Sequence, residues 1–464
     1  MKKIFLYAMM TAGVLASCSQ SDEGNNGYDN PLEPSADAIL ISAVSPSIAV
    51  DASTRSQGSV GADGANLTNK WDGQELHMFA FPKNATTGET IDEKITQDHA
   101  YAPLFNNVAI AKDGVSATIE WADGKTVYFP RNGAYDFFGY YADDATTGNP
   151  TVEAMKGTNV CYVPFTIDGS QDLMTAKAAL TDEDKTKLDA ADYNKAYSSY
   201  TARKNVQPNM KFEHLLTRLV FNIKGQGDAK PEEVYVRSIK VKSQSTGKLV
   251  FAYSNPDNKG IAWNGPEEFL ALQERTKDEN NNKIMQLLDK ARWENTFDLY
   301  AKNPDGSYKF QKKATLIAEQ SDLSDILGKY HASAKNLSAN LVGEALLVNP
   351  GVEKYELEVE VMQYYDADGN LIPAPEDPKD YYTDADKRYY KYGGDEKNPF
   401  VLNANEVKKT GSTESAGIDK FEASASYNVT IAVYGLQQVL ITAELGEWKD
   451  GGDIEVNPDD KFNE

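Results

Sequence analysis

The feature that most constrains this chain is a strict alternation of apolar and acidic residues. Within residues 355–361 every second residue is apolar and the residues between are acidic: Tyr355, Leu357, Val359 and Val361 against Glu356, Glu358 and Glu360. Side chains of a β-strand point alternately to its two faces, so this pattern predicts a strand with one buried and one solvated face. Similar alternation recurs at 75–81, 234–241 and 427–433, and a one-residue phase slip in 234–241 predicts a β-bulge. Many such strands with turn residues between them predict an all-β protein built from β-sandwiches.

A few segments depart from the strand pattern and predict small helical insertions. Thr181 followed three residues later by Asp184 has the spacing of a helix-capping box. The segments Pro266 to Lys277, with proline at its start, and Ile284 to Trp293 are also interpreted as helices. Asp366 to Asn370 superficially resembles a calcium loop, but its spacing fits a turn better.

The amino-terminal residues predict export. A positive start, Met1 to Lys3, precedes the apolar run Ile4 to Ala16, which is shorter than the roughly 20 residues of a spanning helix. Small residues then lead directly to Cys18, as in a bacterial lipobox. We therefore interpret residues 1–17 as a lipoprotein signal peptide and Cys18 as the acylated residue. The alternative is an ordinary signal peptide with a chance cysteine.

A short strand is isolated between the lipid site and the body of the chain. Residues 19–34 are acidic and rich in Gly, Asn and Pro, which predicts a flexible tether. The apolar strand 38–44 follows, and then a long loop of small residues in which Arg55 is a site where proteases could cut. A strand separated in this way is held only by its pairing in a sheet.

Composition and motifs argue against most other functions. A formal net charge of -23 over 464 residues disfavours nucleic-acid partners, because phosphate contacts need a basic surface. None of the four histidines has a second ligand residue at metal spacing, and we interpret His77 and His214 as packed side chains. Cys161 lies in an apolar strand and is interpreted as a buried structural thiol. We predict no catalytic, metal or cofactor site, and hence no enzyme.

In their order along the chain, several stretches resemble the fimbrillin family of Bacteroidales, lipoprotein precursors that polymerise into surface pili. The matching stretches are the lipobox at Cys18, the strand Ile39 to Val44 followed by Thr54 and Arg55, Trp71 with Leu76 to Phe81, Tyr135 to Tyr141, Gln171 to Met174, Phe212 to Leu219, and Tyr427 to Trp448.

The resemblance implies a fold and a route of assembly. The fold is two transthyretin-like Greek-key β-sandwich domains, here residues 56–208 and 209–464, after a tether and removable strand in 18–55. The precursor is carried to the outer membrane by its lipid, and a trypsin-like, Arg-specific protease cuts between Arg55 and Ser56. The strand that leaves contains Ile39, Leu40, Ile41 and Val44.

The groove left by that strand is then filled by a strand of a second subunit. The candidate donor strand carries Val439, Ile441, Ala443 and Leu445. The implied partners are other copies of the chain, related anchor and tip subunits, the protease and the outer membrane. The implied location is a fimbrium on the cell surface, where it supports adhesion and virulence.

Elementary physics is consistent with this route. A removed strand leaves unpaired backbone groups and an apolar trough, which require a replacement. Head-to-tail exchange does not close on itself, so its product is a filament. Three alternatives stay open: both terminal strands complete their own sandwich, the chain is a tip subunit, or it is a non-polymerising surface lipoprotein. The last would bind glycan or host protein through the tyrosine-rich segment 380–392.

Overall fold

The structure is a computed structural model that describes part of the chain. The described residues are 39, 42–44, 74–88, 105–111, 116–124, 127–225, 235–277, 283–287, 300–302, 308–310, 340–365, 371–372, 387–394, 399–409, 412–435, 438–446 and 452–453. These residues form several β-sheets with a few short helices, which confirms the predicted all-β fold class. None of the described helices is long and apolar enough to cross a membrane.

The first ten strands and two short helices come before residue 215. The strands are β1 (Ser42–Val44), β2 (Glu75–Lys83), β3 (Phe105–Ala111), β4 (Ser116–Trp121), β5 (Ala134–Tyr141), β6 (Thr151–Met155), β7 (Thr158–Thr166), β8 (Met174–Lys177), β9 (Asn209–Lys211) and β10 (Glu213–His214). The helices are α1 (Asp182–Lys187) and α2 (Ser199–Ala202), with a 3-10 turn at Ala190–Lys195 between them.

The remaining strands follow from residue 217 onward. They are β11 (Thr217–Gly225), β12 (Tyr235–Gln244), β13 (Thr246–Tyr253), β14 (Gly260–Trp263), β15 (Glu267–Ala271), β16 (Gln273–Lys277), β17 (Lys283–Leu287), β18 (Tyr300–Lys302), β19 (Tyr308–Phe310), β20 (Asn340–Val348), β21 (Lys354–Tyr365), β22 (Leu371–Ile372), β23 (Lys387–Gly393), β24 (Phe400–Asn403), β25 (Ser426–Gly435), β26 (Gln438–Gly446) and β27 (Gly452–Asp453). Short 3-10 turns lie at Pro256–Asn258 and Ala404–Glu406.

Eight strands surround the first core. Their order is β10-β8-β5-β2-β3-β4-β1-β9, and a β-bridge between Ala178 and Met210 joins the end of β8 to β9. The pairings therefore run in a circle in which β1 lies between β4 and β9. The first core lies inside this circle and includes Ile39, Leu76, Met78, Phe129, Phe137, Tyr197, Met210 and Phe212.

A second layer covers the outer face of β2 and β5. The four-stranded sheet β14-β13-β7-β6 packs on it and encloses the middle core. In this core Phe79 stacks on Phe251 at 4.3 Å between ring centroids, and Phe138 meets Tyr253 edge-on at 5.4 Å. The first seven residues of β5 are buried, because one of its faces lines the first core and the other lines the middle core.

The third core lies between two open sheets. One sheet has the order β20-β11-β25-β26-β27, and in the other the path β15-β12-β21-β22 is extended by β23 and β24, which also pair with β21. The buried side chains between them include Leu219, Phe221, Ile239, Val241, Leu346, Tyr355, Leu357, Val359, Phe421, Tyr427, Val429 and Ile431. Tyr355, Leu357 and Val359 of the alternating segment face this core, as predicted.

Two further local predictions are confirmed. Thr181 caps α1 through a capping box in which its hydroxyl accepts from the Asp184 N–H and the Asp184 carboxylate accepts from the Thr181 N–H. The phase slip predicted in 234–241 is a register shift between Val236 and Ser238 in the pairing of β12 with β21. The turn predicted at 366–370 lies outside the described residues.

The helix predicted at Pro266 to Lys277 is wrong. Glu267–Ala271 pairs antiparallel with β12, and Gln273–Lys277 pairs antiparallel with β17. The Glu, Leu and Arg residues of this segment favour helices, but pairing with a distant strand and burial of Leu270 and Leu272 override that weak preference. The helix predicted at Ile284 to Trp293 is wrong where it can be compared, because β17 covers its first four residues. Residues 288–293 lie outside the described part.

The division into sandwiches at residue 208 stays a prediction. Strands β9, β10 and β11 arise from one apolar segment, Met210 to Ile223, and lead from the first sheet into the five-stranded sheet. Later in the chain, β13 pairs antiparallel with β7, so residues 246–263 share a sheet with residues 151–166.

Candidate strand-exchange site

Strand β1 is held by neighbours on both sides. Its three residues pair antiparallel with residues 116–118 of β4 and parallel with residues 209–211 of β9. Just before β1, the Ile39 N–H donates to the Val127 carbonyl over 2.8 Å. Both walls of this site, β4 and β9, are remote in sequence from β1. We call the space that β1 and Ile39 occupy the seat.

Ile39 fills the inner part of the seat. Its side chain is 1% exposed and packs in the first core with residues of β2, β9 and the segment before β5. Taking Ile39 away would remove an aliphatic side chain from a close-packed core, which leaves a cavity unless another side chain replaces it. Loss of β1 would also free one edge of β4 and one edge of β9. The seat therefore combines an apolar hole with two backbone edges.

The segment 127–130 forms a third border of the seat. Phe129 is buried in the first core, with its ring 5.9 Å from that of Phe137, and Val127 packs against the same core. Tyr128 lies between them and is exposed. A turn at Asp123-Gly124 precedes this segment, with Gly124 at φ +68° and its N–H donating to the Trp121 carbonyl.

Other predicted site residues lie outside the described part of the chain. These are the lipid site Cys18, the cleavage residues Arg55 and Ser56, and Leu40 and Ile41 of the displaced strand. Val44 is described as the last residue of β1, where it pairs with Ser116 and Lys211.

The predicted donor strand lies in the five-stranded sheet. Strand β26 pairs antiparallel with β25 at nine positions, and Val439, Ile441, Ala443 and Leu445 oppose Val433, Ile431, Val429 and Tyr427. Its other edge pairs with β27 at Glu444 and Leu445. In this arrangement the predicted donor completes its own subunit's sheet, so a donor role requires β26 to leave β25.

Polar contacts join the loop before β8, strand β10, strand β20 and the segment before β25, and the sequence did not predict them. The His214 ring and the Asp172 carboxylate lie 2.7 Å apart, and each side chain is 3% exposed. The Ser424 hydroxyl donates to the His214 carbonyl, and the Leu347 N–H donates to the Gly169 carbonyl over 2.8 Å. His214 is packed, as predicted, but its partner comes from a separate loop that a single sequence does not link to it.

Other residues that the sequence analysis named are packed among neighbouring side chains. His77 stacks on Tyr140 with 4.5 Å between ring centroids. Burial lowers the pKa of His77, and the negative charge of Glu75, which acts in the opposite direction, does not cancel that shift. Burial raises the pKa of the Cys161 thiol to about 12, so it stays protonated at neutral pH. From the tyrosine-rich segment, Tyr392 packs against the third core beside Phe400. No group of three metal-binding side chains is found among the described residues.

Comparisons with known proteins give one family. The sequence model of a family described as fimbrillin-like matches residues 63–448. No curated protein matches the chain in sequence.

Several solved structures align with most of the chain at low identity. A candidate cell adhesion protein from Bacteroides uniformis ATCC 8492 is 13% identical with a TM-score of 0.38, and the match covers 90% of this chain and 100% of that one. A fimbrial protein from Bacteroides vulgatus ATCC 8482 is 11% identical with a TM-score of 0.38, covering 81% and 93%. The fimbrial anchor protein Mfa2 from Porphyromonas gingivalis is 9% identical with a TM-score of 0.30, covering 89% and 99%.

Proposed function

The chain belongs to the fimbrillin-like family, and we propose that it is a shaft subunit of a cell-surface fimbrium that assembles by exchange of β1 for a strand of a second copy. The family is one of structural fimbrial subunits rather than enzymes, so a place in a surface appendage follows from membership. The position in the shaft, the exchange and its trigger are the parts that we propose.

The position of β1 carries the proposal. It is a three-residue strand with a partner on each side, and it closes the circle of pairings around the first core. When such a strand leaves, both edges of the gap still offer backbone donors and acceptors, so an incoming strand can pair on both sides. The cavity left by Ile39 adds an apolar position for an incoming side chain, worth about 1.5–3 kcal/mol when it is filled.

We propose that cleavage between Arg55 and Ser56 is the trigger. Before cleavage, β1 is tethered to β2 and returns to its seat whenever it detaches. After cleavage the detached strand can diffuse away, and the seat becomes open to an intermolecular partner. The lipid on Cys18 is removed with the same segment, which would free the processed subunit from the outer membrane for assembly.

For the donor we propose β26 with the tail that follows it. Its apolar residues recur at every second position, as an inserted strand requires if one face is to line a core. Leaving the five-stranded sheet costs the nine pairs with β25 and the two pairs with β27, and entry into the seat offers pairing with both β4 and β9 in return. A β26 that stays on β25 after cleavage would instead favour a tip position or a monomeric surface protein.

The cleavage step is tested with an Arg55→Ala precursor. Wild-type and variant chains, both without lipid, are incubated with an Arg-specific protease and followed by light scattering and electron microscopy. We expect filaments from the wild type and monomers from Arg55→Ala. Arg131→Ala is a matched control because Arg131 is exposed and distant in sequence from the cut, and it is expected to form filaments like the wild type. Filaments from Arg55→Ala at the wild-type rate would refute the proposed trigger.

A further inference from the structure

Two exposed aromatic side chains differ in how they are used within the subunit. Among the described residues, Tyr128 and Tyr200 are the exposed large hydrophobic side chains, at 50% and 46% exposure. The Tyr200 hydroxyl donates to the Asp192 carboxylate over 3.0 Å, and the Lys204 ammonium lies 4.6 Å from the Tyr200 ring centroid. Tyr200 thus takes part in a surface cluster of its own subunit.

Tyr128 is held out from the molecule by its neighbours. Val127 packs against the first core and Phe129 is buried in it, so the backbone on both sides of Tyr128 is anchored. A ring presented by a fixed backbone loses little conformational entropy when a partner covers it. Aromatic residues are enriched at protein interfaces for this reason.

Tyr128 also borders the seat. The carbonyl of the preceding residue, Val127, accepts a hydrogen bond from Ile39, and Tyr128 itself forms a β-bridge. Any strand that takes the place of Ile39 and pairs with Val127 must therefore pass beside Tyr128.

We propose that Tyr128 is a docking contact for a second copy of this chain, whose incoming strand packs against the ring as it enters the seat. This inference rests on the proposed strand exchange. The charge of the chain supports a partner of this kind. Residues 1–55 carry six acidic and three basic side chains, so cleavage after Arg55 leaves a formal charge of -20 out of -23. Two such copies repel each other, so an uncharged aromatic contact suits their association better than an acidic one. The Tyr128 ring also stays available after β1 leaves, because its anchors lie on core residues that remain.

The test compares four full-length chains after cleavage by an Arg-specific protease: wild type, Tyr128→Ala, Tyr128→Glu and Tyr200→Ala. Filament growth is measured by light scattering over a range of subunit concentrations, with electron microscopy of the products. We expect Tyr128→Ala to slow growth about tenfold, as loss of a well-placed aromatic contact does at other interfaces. We expect Tyr128→Glu to slow it further and Tyr200→Ala to leave it unchanged.

The possible outcomes separate this inference from the proposed function. Growth of Tyr128→Ala and Tyr128→Glu at the wild-type rate would overturn the docking role while leaving strand exchange intact. An equal slowing in Tyr200→Ala would also overturn it, because the effect would then be general to exposed aromatic residues. A wild type that stays monomeric after cleavage would overturn strand exchange and the docking role together. Thermal unfolding of the uncleaved variants is expected to match the wild type, since the Tyr128 ring is half exposed.

Discussion

The first and third cores are closed in different ways. Pairings run in a circle around the first core, and the three-residue strand β1 completes that circle. The third core lies between two open sheets whose inner strands β21 and β25 are 12 and 10 residues long. Removing a short strand from a circle leaves a slot with two walls, whereas removing the end strand of an open sheet leaves a single edge. This difference is the reason why we propose that the strand exchanged during assembly is β1, at the first core.

The two regions also differ on their outer sheet faces. The outer face of β5 lies under the four-stranded sheet, so Phe138 is fully buried. The outer face of β21 carries glutamates that pair with lysines of neighbouring strands, with Lys240 Nζ 2.6 Å from Glu358 and Lys242 Nζ 3.0 Å from Glu356. An outward-facing residue is therefore part of a core in one region and part of a charged surface in the other.

The largest expected effect on the free energy of unfolding is at the outer face of β5, which the four-stranded sheet covers. Phe138→Ala removes a ring that packs edge-on against Tyr253 and Phe81, with centroid distances of 5.4 and 6.1 Å. We expect a loss of about 3–5 kcal/mol in the free energy of unfolding, as for other buried aromatic truncations. Denaturant unfolding of the uncleaved chain measures it. A loss below about 1 kcal/mol would mean that the four-stranded sheet does not pack tightly on β5.

The second prediction concerns the seat itself. Ile39→Ala is expected to destabilise the uncleaved chain by about 2–5 kcal/mol, because Ile39 is buried in the first core. In processed filaments the same substitution is expected to have no effect, since the residue has left with β1. Denaturant unfolding of precursor and of filaments gives both values.

Ile431→Ala is the matched control for Ile39→Ala. Ile431 is as deeply buried, in β25 of the third core, and it stays in the subunit after processing. We expect it to destabilise precursor and filaments alike. An Ile39→Ala variant that weakens filaments as much as Ile431→Ala does would contradict the departure of β1.

The third prediction concerns the pH dependence of stability that His77 in β2 causes. Burial lowers the pKa of His77 in the folded chain below its usual 6.5, so protonation favours the unfolded state. The stabilising contribution of neutral His77 is present above pH 6.5 and is lost as the pH falls through the lower folded-state pKa. The wild type is expected to lose stability between about pH 7 and pH 5, and His77→Phe is expected to lose less. This difference between the two proteins is expected to be smaller than the effect of Phe138→Ala or Ile39→Ala on the free energy of unfolding.

Hydrogen exchange measured at both pH values locates the effect of His77. Amides of β2 and β5 are expected to lose protection on acidification in the wild type and to keep it in His77→Phe. Equal loss of protection in the two proteins would show that other groups control the acid response.

The smallest expected effect on the free energy of unfolding is at the outer face of β21, which carries the glutamates. Burial alone would raise the pKa of Glu358, but hydrogen bonds and charges from Lys240 and Lys391 outweigh it and hold that pKa below its usual value. The contribution of Glu358 is therefore present above its unfolded pKa and is lost as the pH falls through the lower folded one. Glu358→Gln is expected to cost at most about 1 kcal/mol at neutral pH, and less in high salt. A cost above about 3 kcal/mol would show that this face is buried by a further layer.

Sequence patterns predict where strands lie more readily than they predict which strands pair. The alternation in 355–361 predicts β21 because one face is buried and the other is charged. The strand 38–44 is predicted instead from a short, strongly apolar run, but its parallel partner β9 lies far along the chain and no local pattern links the two. The helix predicted at 266–277 fails for a related reason, since pairing with β12 decides its structure. Tyr128 could not be singled out, because its exposure depends on how Val127 and Phe129 pack.

The most direct test of the account is a reversible bond across the seat. Ala43 and Ala117 are direct partners in the antiparallel pairing of β1 with β4, and such partners lie within the Cα separation that a disulfide spans. An unlipidated Cys18→Ala chain carrying Ala43→Cys and Ala117→Cys is oxidised, cleaved by the Arg-specific protease and followed by light scattering, before and after reductant is added. We predict monomers while the disulfide holds β1 in place and filaments once it is reduced. Filaments that form at the same rate from the oxidised protein would contradict the exchange of β1.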